Sequence, residues 1–263
     1  MQHWRDWSQG LRHDFEATYL RLRVGIAAIG VVLPLLLALG AWTFEGASLQ
    51  SSMSAYYHTG MRDVFVGALF AIGIALYAYQ GFSAAENLVL SVAGVLAVLV
   101  ALFPTEGGAA PAWTADVHGA AALLFFACLA YVSVFRAGDT LSLIRDTRRA
   151  WALEQIYRGL GVAMVVSPLI ALAVAWTLRP PSGEPSVVFF VEVFGIWAFA
   201  AYWLVKSWEL RQTSADRAAA RGVLEPSLAA ARGRAPGRLV QTAPLDCTVE
   251  EARREAGLAE DAP

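Results

Sequence analysis

Charge is what this sequence has least of. Only 16% of its 263 residues are Asp, Glu, Lys or Arg, against 57% hydrophobic residues, whereas an ordinary soluble domain carries roughly 25% charge. That balance excludes a soluble globule. The charged residues also avoid long stretches of the chain, so the apolar ones collect into blocks able to cross about 30 Å of hydrocarbon. Cysteine is nearly absent: Cys128 lies in an apolar block and Cys247 in a polar tail, which excludes a disulfide framework. The net charge of −2 supplies no basic field and argues against nucleic acid as a partner.

What is present is a set of six apolar blocks, at 24–42, 63–80, 88–103, 117–135, 157–178 and 187–208, each of a length expected to span as a helix. The fold class expected is therefore an all-α integral membrane protein, a six-transmembrane-helix bundle over 24–208. Residues 1–23 mix Arg5, Arg12, Arg21 and Arg23 with Asp6, Asp14 and Glu16, so no cleavable signal peptide is expected and the first span should be retained. Arginine also sets the orientation. Four precede the first span, Arg136, Arg145, Arg148 and Arg149 sit between the fourth and fifth, and Arg211, Arg217 and Arg221 follow the sixth. Segments 43–62 and 179–186 hold one each and 104–116 none, so both termini are expected in the cytoplasm.

Local signals support these limits. Ser83 and Glu86 have capping-box spacing ahead of the third span, which is short and should begin earlier than 88. Asp63 and Asp116 stand where N-caps of the second and fourth spans would fall. Pro34 and Pro168 lie inside spans and should kink them. Gly67, Ala71 and Ala75 repeat every fourth residue, which predicts close approach of a neighbouring helix. Trp4, Trp7, Leu11, Phe15 and Leu22 predict an amphipathic N-terminal segment, either lying on the inner membrane surface or extending the first helix. Residues 209–263 form a tail rich in Ala, Arg, Glu and Pro, expected to be mostly disordered apart from a short helix capped by Thr248 and Glu251.

The polar residues fall at one end of this scheme. Ser54, His58, Arg62 and Asp63 belong to the outer end of the second span, Asp116 and His118 open the fourth, and Glu192 lies roughly 9 Å inside the sixth. A carboxylate at that depth is a functional candidate by default. Its structural alternative is a salt bridge or hydrogen bond to Arg62 or His118. His58 and His118 are the two histidines near the bilayer and are expected metal ligands, for zinc or another divalent ion, with Asp63 and Glu192 as the catalytic carboxylates. No HExxH motif accompanies them. Ser54 and His58 share a helical face at four-residue spacing, but no GxSxG elbow marks a nucleophile. Arg62, with Ser54 near it, suits a lipid headgroup phosphate at this depth.

The run SMSAYYHTGMRDVFVGALFAIGIALYAYQGF, then VALFPT at 100–105, DVHGAAALLFF and EVFGIWAFAAYWLVKS, resembles a group of bacterial six-span proteins related to the DUF998 and Frag1/DRAM/Sfk1-like membrane proteins. The resemblance covers about 24–208. It implies a compact six-helix bundle of the bacterial cytoplasmic membrane with His58, Arg62, Asp63, His118 and Glu192 on the matching blocks. A more distant similarity is to the CREST intramembrane metal-dependent hydrolases. Ser54, His58 and Asp63 match the first part of that pattern, while the last span has Glu192 in place of histidine.

The function expected from these readings is a polar, metal-binding pocket at the outer leaflet acting as a lipid- or amphiphile-directed hydrolase, with membrane lipid as its partner. In that chemistry a metal-bound water is the nucleophile and a free carboxylate the base. The alternative is a non-enzymatic scaffold or sensor whose polar cluster only fixes helix packing.

Overall fold

The computed structural model describes residues 2–105, 111–144, 146–178 and 187–213, and within them every side chain but those of 2–16, 112 and 178. Every regular element among the described residues is helical. The long helices are α1 (Gln2–Glu45), α2 (Arg62–Ala78), α3 (Ala84–Leu102), α4 (Ala112–Tyr131), α5 (Thr147–Leu178) and α6 (Val187–Thr213). A 3-10 turn, Ser54–His58, interrupts the α1–α2 connection. A π turn, Val132–Arg136, and a 3-10 segment, Ala137–Leu143, follow α4.

Five stretches are long and apolar enough to cross a membrane: Ala17–Glu45, Ala84–Leu102, Trp113–Leu143, Thr147–Thr177 and Val187–Thr213. The sixth expected span, α2, has 17 residues and is about 26 Å long. Its C-cap Tyr79 is already extended, because the chain turns there into the Ser83 cap of α3. Hydrocarbon offers backbone groups no partner, so helices are what apolar blocks of this length must form. Large apolar side chains also point outward, among them Leu36, Leu39, Ile74, Leu88, Phe135, Trp176 and Phe194, the reverse of a soluble protein's distribution.

Each helix packs on its neighbours in sequence and α6 returns to α1, closing the ring. The C-terminal ends of α1, α3 and α5 and the N-terminal ends of α2, α4 and α6 lie at one end, here the turn end. The opposite ends of the helices make the tail end. Two buried clusters fill the interior. One, toward the turn end, centres on Leu37, Met53, Tyr56, Phe65 and Phe189. The other, toward the tail end, centres on Ile26, Tyr79, Tyr157, Phe199 and Trp203.

Several sequence expectations shift. The close approach on α2 is at Gly73, not along Gly67: a Cβ at Gly73 would sit 2.7 Å from the Gly94 carbonyl oxygen, while one at Gly67 meets nothing within 4 Å. The helices cross where both partners lack side chains, and that depends on register as much as on spacing. Ser83 does cap α3, accepting the Glu86 N–H at 3.2 Å. Asp63 and Asp116 cap nothing, because α2 starts at Arg62 behind Met61 and α4 starts at Ala112 behind Pro111. The backbone of the N-terminal segment continues α1 without a break, which is the helix-extension alternative. Its apolar positions Trp4, Trp7, Leu11 and Phe15 lie outside the described side chains. The tail starts later than residue 209, since α6 runs to Thr213 with Glu209 and Leu210 buried. Thr248 and Glu251 lie outside the described residues.

Candidate functional site

At the turn end the chain leaves α1 through Gly46, whose φ of 64° is the left-handed conformation glycine adopts without strain. Gly46 and Ala47 return their N–H groups to the carbonyls of Trp42 and Ala41, each at 3.1 Å, the first being the 5→1 bond of an αL helix end. The chain then crosses the bundle end as the 3-10 turn. Two buried side chains anchor it, Met53 and Tyr56, with the Tyr56 ring 6.0 Å from that of Phe189 on α6. Burial pushes the Tyr56 phenol above its ordinary pKa, so it stays neutral, and its oxygen accepts the Gln50 N–H at 3.4 Å.

Two polar contacts fix the turn. Glu192 Oε2 on α6 accepts the Met53 N–H at 2.6 Å. One residue on, Ser54 Oγ lies 2.9 Å from His118 Nε2 on α4. The other ring nitrogen of His118 faces two carbonyls at the end of α3, Phe103 at 2.8 Å and Val100 at 3.0 Å. A carbonyl only accepts, so Nδ1 carries the proton and Nε2 is left as an acceptor for the Ser54 hydroxyl. His118, 5% exposed, is thereby locked in one tautomer by the unpaired carbonyls of the last turn of α3. A hydroxyl, an imidazole acceptor and a group orienting the imidazole, all within hydrogen-bond reach, are the arrangement that an activated nucleophile requires.

The remaining expected site residues do not join this cluster. His58 is exposed, and its Nε2 pairs with the Thr105 carbonyl at 3.2 Å. Arg62 is exposed; it donates to the Tyr57 hydroxyl at 2.7 Å and stacks with its guanidinium carbon 4.4 Å from that ring's centre. Asp63 is exposed in the first turn of α2. Glu192 bonds the Met53 backbone, not Arg62 or His118, so the expected side-chain ion pair is replaced by a carboxylate-to-backbone contact. The expected metal set is not assembled either: His118 spends its nitrogens on Ser54 and the α3 carbonyls, and His58 turns to Thr105. Among the described residues no three His, Cys, Asp or Glu side chains stand close enough to hold an ion.

A second polar cluster, at the tail end, has no counterpart in the sequence reading. Lys206, the only lysine of the chain, is 1% exposed. Its ammonium donates to the Ala137 carbonyl at 2.9 Å, to Thr140 Oγ1 at 2.7 Å and to Glu209 Oε2 at 2.9 Å, which uses all three N–H groups. Glu209, fully buried, also accepts the Tyr157 hydroxyl at 2.6 Å and the Thr140 hydroxyl. Glu86, 2% exposed, accepts the Phe82 N–H at 2.9 Å, and Arg23 NH1 donates to the Tyr79 hydroxyl at 3.4 Å. The available signal was a lone lysine three residues before a glutamate in an otherwise apolar helix. Its partners come from α5 and from the segment after α4, where no spacing rule reaches.

No family model, curated protein or solved structure matches this chain.

Proposed function

We propose that the protein is a six-span bundle of the bacterial cytoplasmic membrane with both termini inside, whose turn end faces outward and carries a serine-based site acting on an ester of a membrane amphiphile. The arginine asymmetry supports that orientation, and α2, apolar along its length and paired with α3, supports six crossings. The observation that carries the activity is the relay from Ser54 through His118 to the Phe103 carbonyl.

The chemistry is that of acyl transfer. Ser54 Oγ attacks the ester carbonyl carbon as its proton passes to His118 Nε2. The C–O bond to the leaving alcohol then breaks, and the same nitrogen returns the proton to the alcohol oxygen. Water from the outer aqueous phase enters next, gives its proton to Nε2, and releases the carboxylic acid as Ser54 regains its hydrogen. The imidazolium formed in each half-reaction is oriented by the α3 carbonyls, and their partial negative charge stabilises it. Glu192 acts as a positioning residue: by holding the Met53 N–H it fixes the backbone immediately before Ser54.

The test is active-site labelling of the full-length protein in lipid nanodiscs with a fluorophosphonate. Wild type should be labelled, Ser54→Ala should not, and His118→Gln should react about 10²–10⁴-fold more slowly, the usual worth of a positioned base. Absence of labelling on Ser54 in a folded wild type would refute the reading. A second reading, a structural scaffold, is favoured by the way Glu192 and His118 both tie helices to backbone groups. It is the conclusion if folding depends on these residues and no labelling occurs.

A further inference from the structure

Helices α1 and α2 are close at the turn end, where Met61 Sδ fills the place that a Cβ of Gly40 would take. At the tail end they leave a groove of about 310 Å³. Ile26 is its buried floor, Gly25, Ile29 and Ala75 are its half-buried sides, and Thr18 and Arg21 stand exposed at its mouth. The space comes from small residues on both helices. A Cβ at Gly25 would meet nothing within 4 Å, and Ala75 ends the repeat of small residues along α2. The approach of α3 falls on Gly73 instead, which leaves Ala75 to line the groove.

Depth fixes what the groove meets. From Arg21 to Trp42, exposed near the turn end, α1 rises about 32 Å, close to the roughly 30 Å of the hydrocarbon core. With Trp42 at one interface, Arg21 stands among the head groups of the opposite leaflet. Tyr77, two residues beyond Ala75 on α2, is exposed, as an interfacial tyrosine is. Gly25 and Ile29 lie about 6 and 12 Å further in, at the depth of acyl chains.

Charge decides the occupant. Arg23 is 0% exposed and donates inward to the Tyr79 hydroxyl, whereas Arg21, two residues earlier, faces outward. The ion pairs among the described residues join Arg136 to Asp139, Arg149 to Asp146, Arg158 to Glu154 and Lys206 to Glu209. None includes Arg21. A guanidinium fork without a carboxylate, at head-group depth and above an apolar channel, is complementary to a phosphate that carries hydrocarbon.

We infer that this groove binds an anionic phospholipid of the leaflet that the tail end faces, its phosphate at Arg21 and one acyl chain along Gly25 and Ile29. A zwitterionic head group brings its own cation to the phosphate, so a net negative lipid gains more from Arg21.

The test uses the full-length protein in nanodiscs of equal parts phosphatidylglycerol and phosphatidylcholine. Each lipid in turn carries a diazirine in its acyl chain, and crosslinks are mapped by mass spectrometry. Phosphatidylglycerol should label peptides around residues 25–29 and 75 about fivefold more strongly than phosphatidylcholine, the usual worth of one basic residue near an anionic surface. Arg21→Gln should lower that labelling about tenfold, the usual worth of a hydrogen bond to a charged group. Gly25→Leu, which fills the open space, should lower it similarly, while Arg21→Lys keeps most of it. Arg21 is exposed and unpaired among the described residues, so Arg21→Gln should melt at the wild-type temperature and serves alone should Gly25→Leu not fold. Arg148→Gln, at an exposed arginine of α5, should leave the labelling unchanged. Equal labelling by the two lipids, or labelling that survives Arg21→Gln, overturns the site. So does an equal loss in Arg148→Gln, since the whole tail end would then attract anionic lipid without a site.

Discussion

Removing the charge from either Lys206 or Glu209 should cost far more than removing it from both. The side chains are 2% and 0% exposed and 2.9 Å apart, so neither charge has water to fall back on. Lys206→Met leaves the Glu209 carboxylate buried with only the Thr140 and Tyr157 hydroxyls as donors. Glu209→Gln leaves an ammonium against Ala137 and Thr140 with no counter-charge. Breaking one side of a buried pair costs about 3–5 kcal/mol, which for a chain of this size is roughly 6–20 °C in Tm. In the double variant the amide at 209 can still accept from Tyr157 and donate to Thr140, and methionine occupies the volume of the lysine stem. The double variant should therefore be more stable than the sum of the singles by at least about 2 kcal/mol. Thermal unfolding of the purified protein in detergent, with tryptophan fluorescence as the signal, measures all four species. Single losses that add within about 0.5 kcal/mol, or a Lys206→Met protein as stable as wild type, would show that the pair is not coupled and that water reaches it.

Three further outcomes follow from the same structure. Gly73→Ala should destabilise by about 1–3 kcal/mol, the usual cost of overpacking, because its methyl would press on the Gly94 carbonyl at 2.7 Å. Gly67→Ala, with open space around it, should be neutral or slightly stabilising in the same melt, and equal effects at the two sites would refute the α2–α3 contact. Glu192→Ala should cost about 1–3 kcal/mol by leaving the buried Met53 N–H unpaired, whereas Glu192→Gln, which can still accept, should lose less than half of that. A glutamine variant as unstable as the alanine would show that charge, not the hydrogen bond, holds the turn. In a background lacking both cysteines, Thr105→Cys should react with an impermeant maleimide in intact cells and Asp146→Cys only after permeabilisation. The opposite pattern would invert the orientation.

The helical ring was legible because hydrocarbon leaves apolar blocks one way to satisfy their backbone, and each expected block overlaps a helix. Even the short third block starts early, at Ala84, through the Ser83 cap that its spacing announced. The limits of the blocks were less legible. Residues 209–213 look like tail by composition, yet Glu209 and Leu210 are buried, because Lys206, Thr140 and Tyr157 satisfy the glutamate there. Composition registers a charge and not its partner.

The candidate site divides along the same line. The sequence by itself determined that Ser54, His58, Arg62, Asp63, His118 and Glu192 belong to one end of the molecule, since apolar block length and chain direction leave no other arrangement. It also marked Glu192, by its depth, as a functional candidate with a helix-tying role as the alternative. Only the tertiary structure decided which of these groups meet. Four-residue spacing pairs Ser54 with His58 on an α-helix, but the segment is a 3-10 turn, where the eclipsed position is i+3 and His58 swings away to Thr105. The histidine that reaches Ser54 lies 64 residues on. It is held there by carbonyls that α3 leaves unpaired where it ends. A hydrogen bond is set by positions within a few tenths of an ångström, and those positions come from how α3, α4 and the turn pack, which no local spacing encodes.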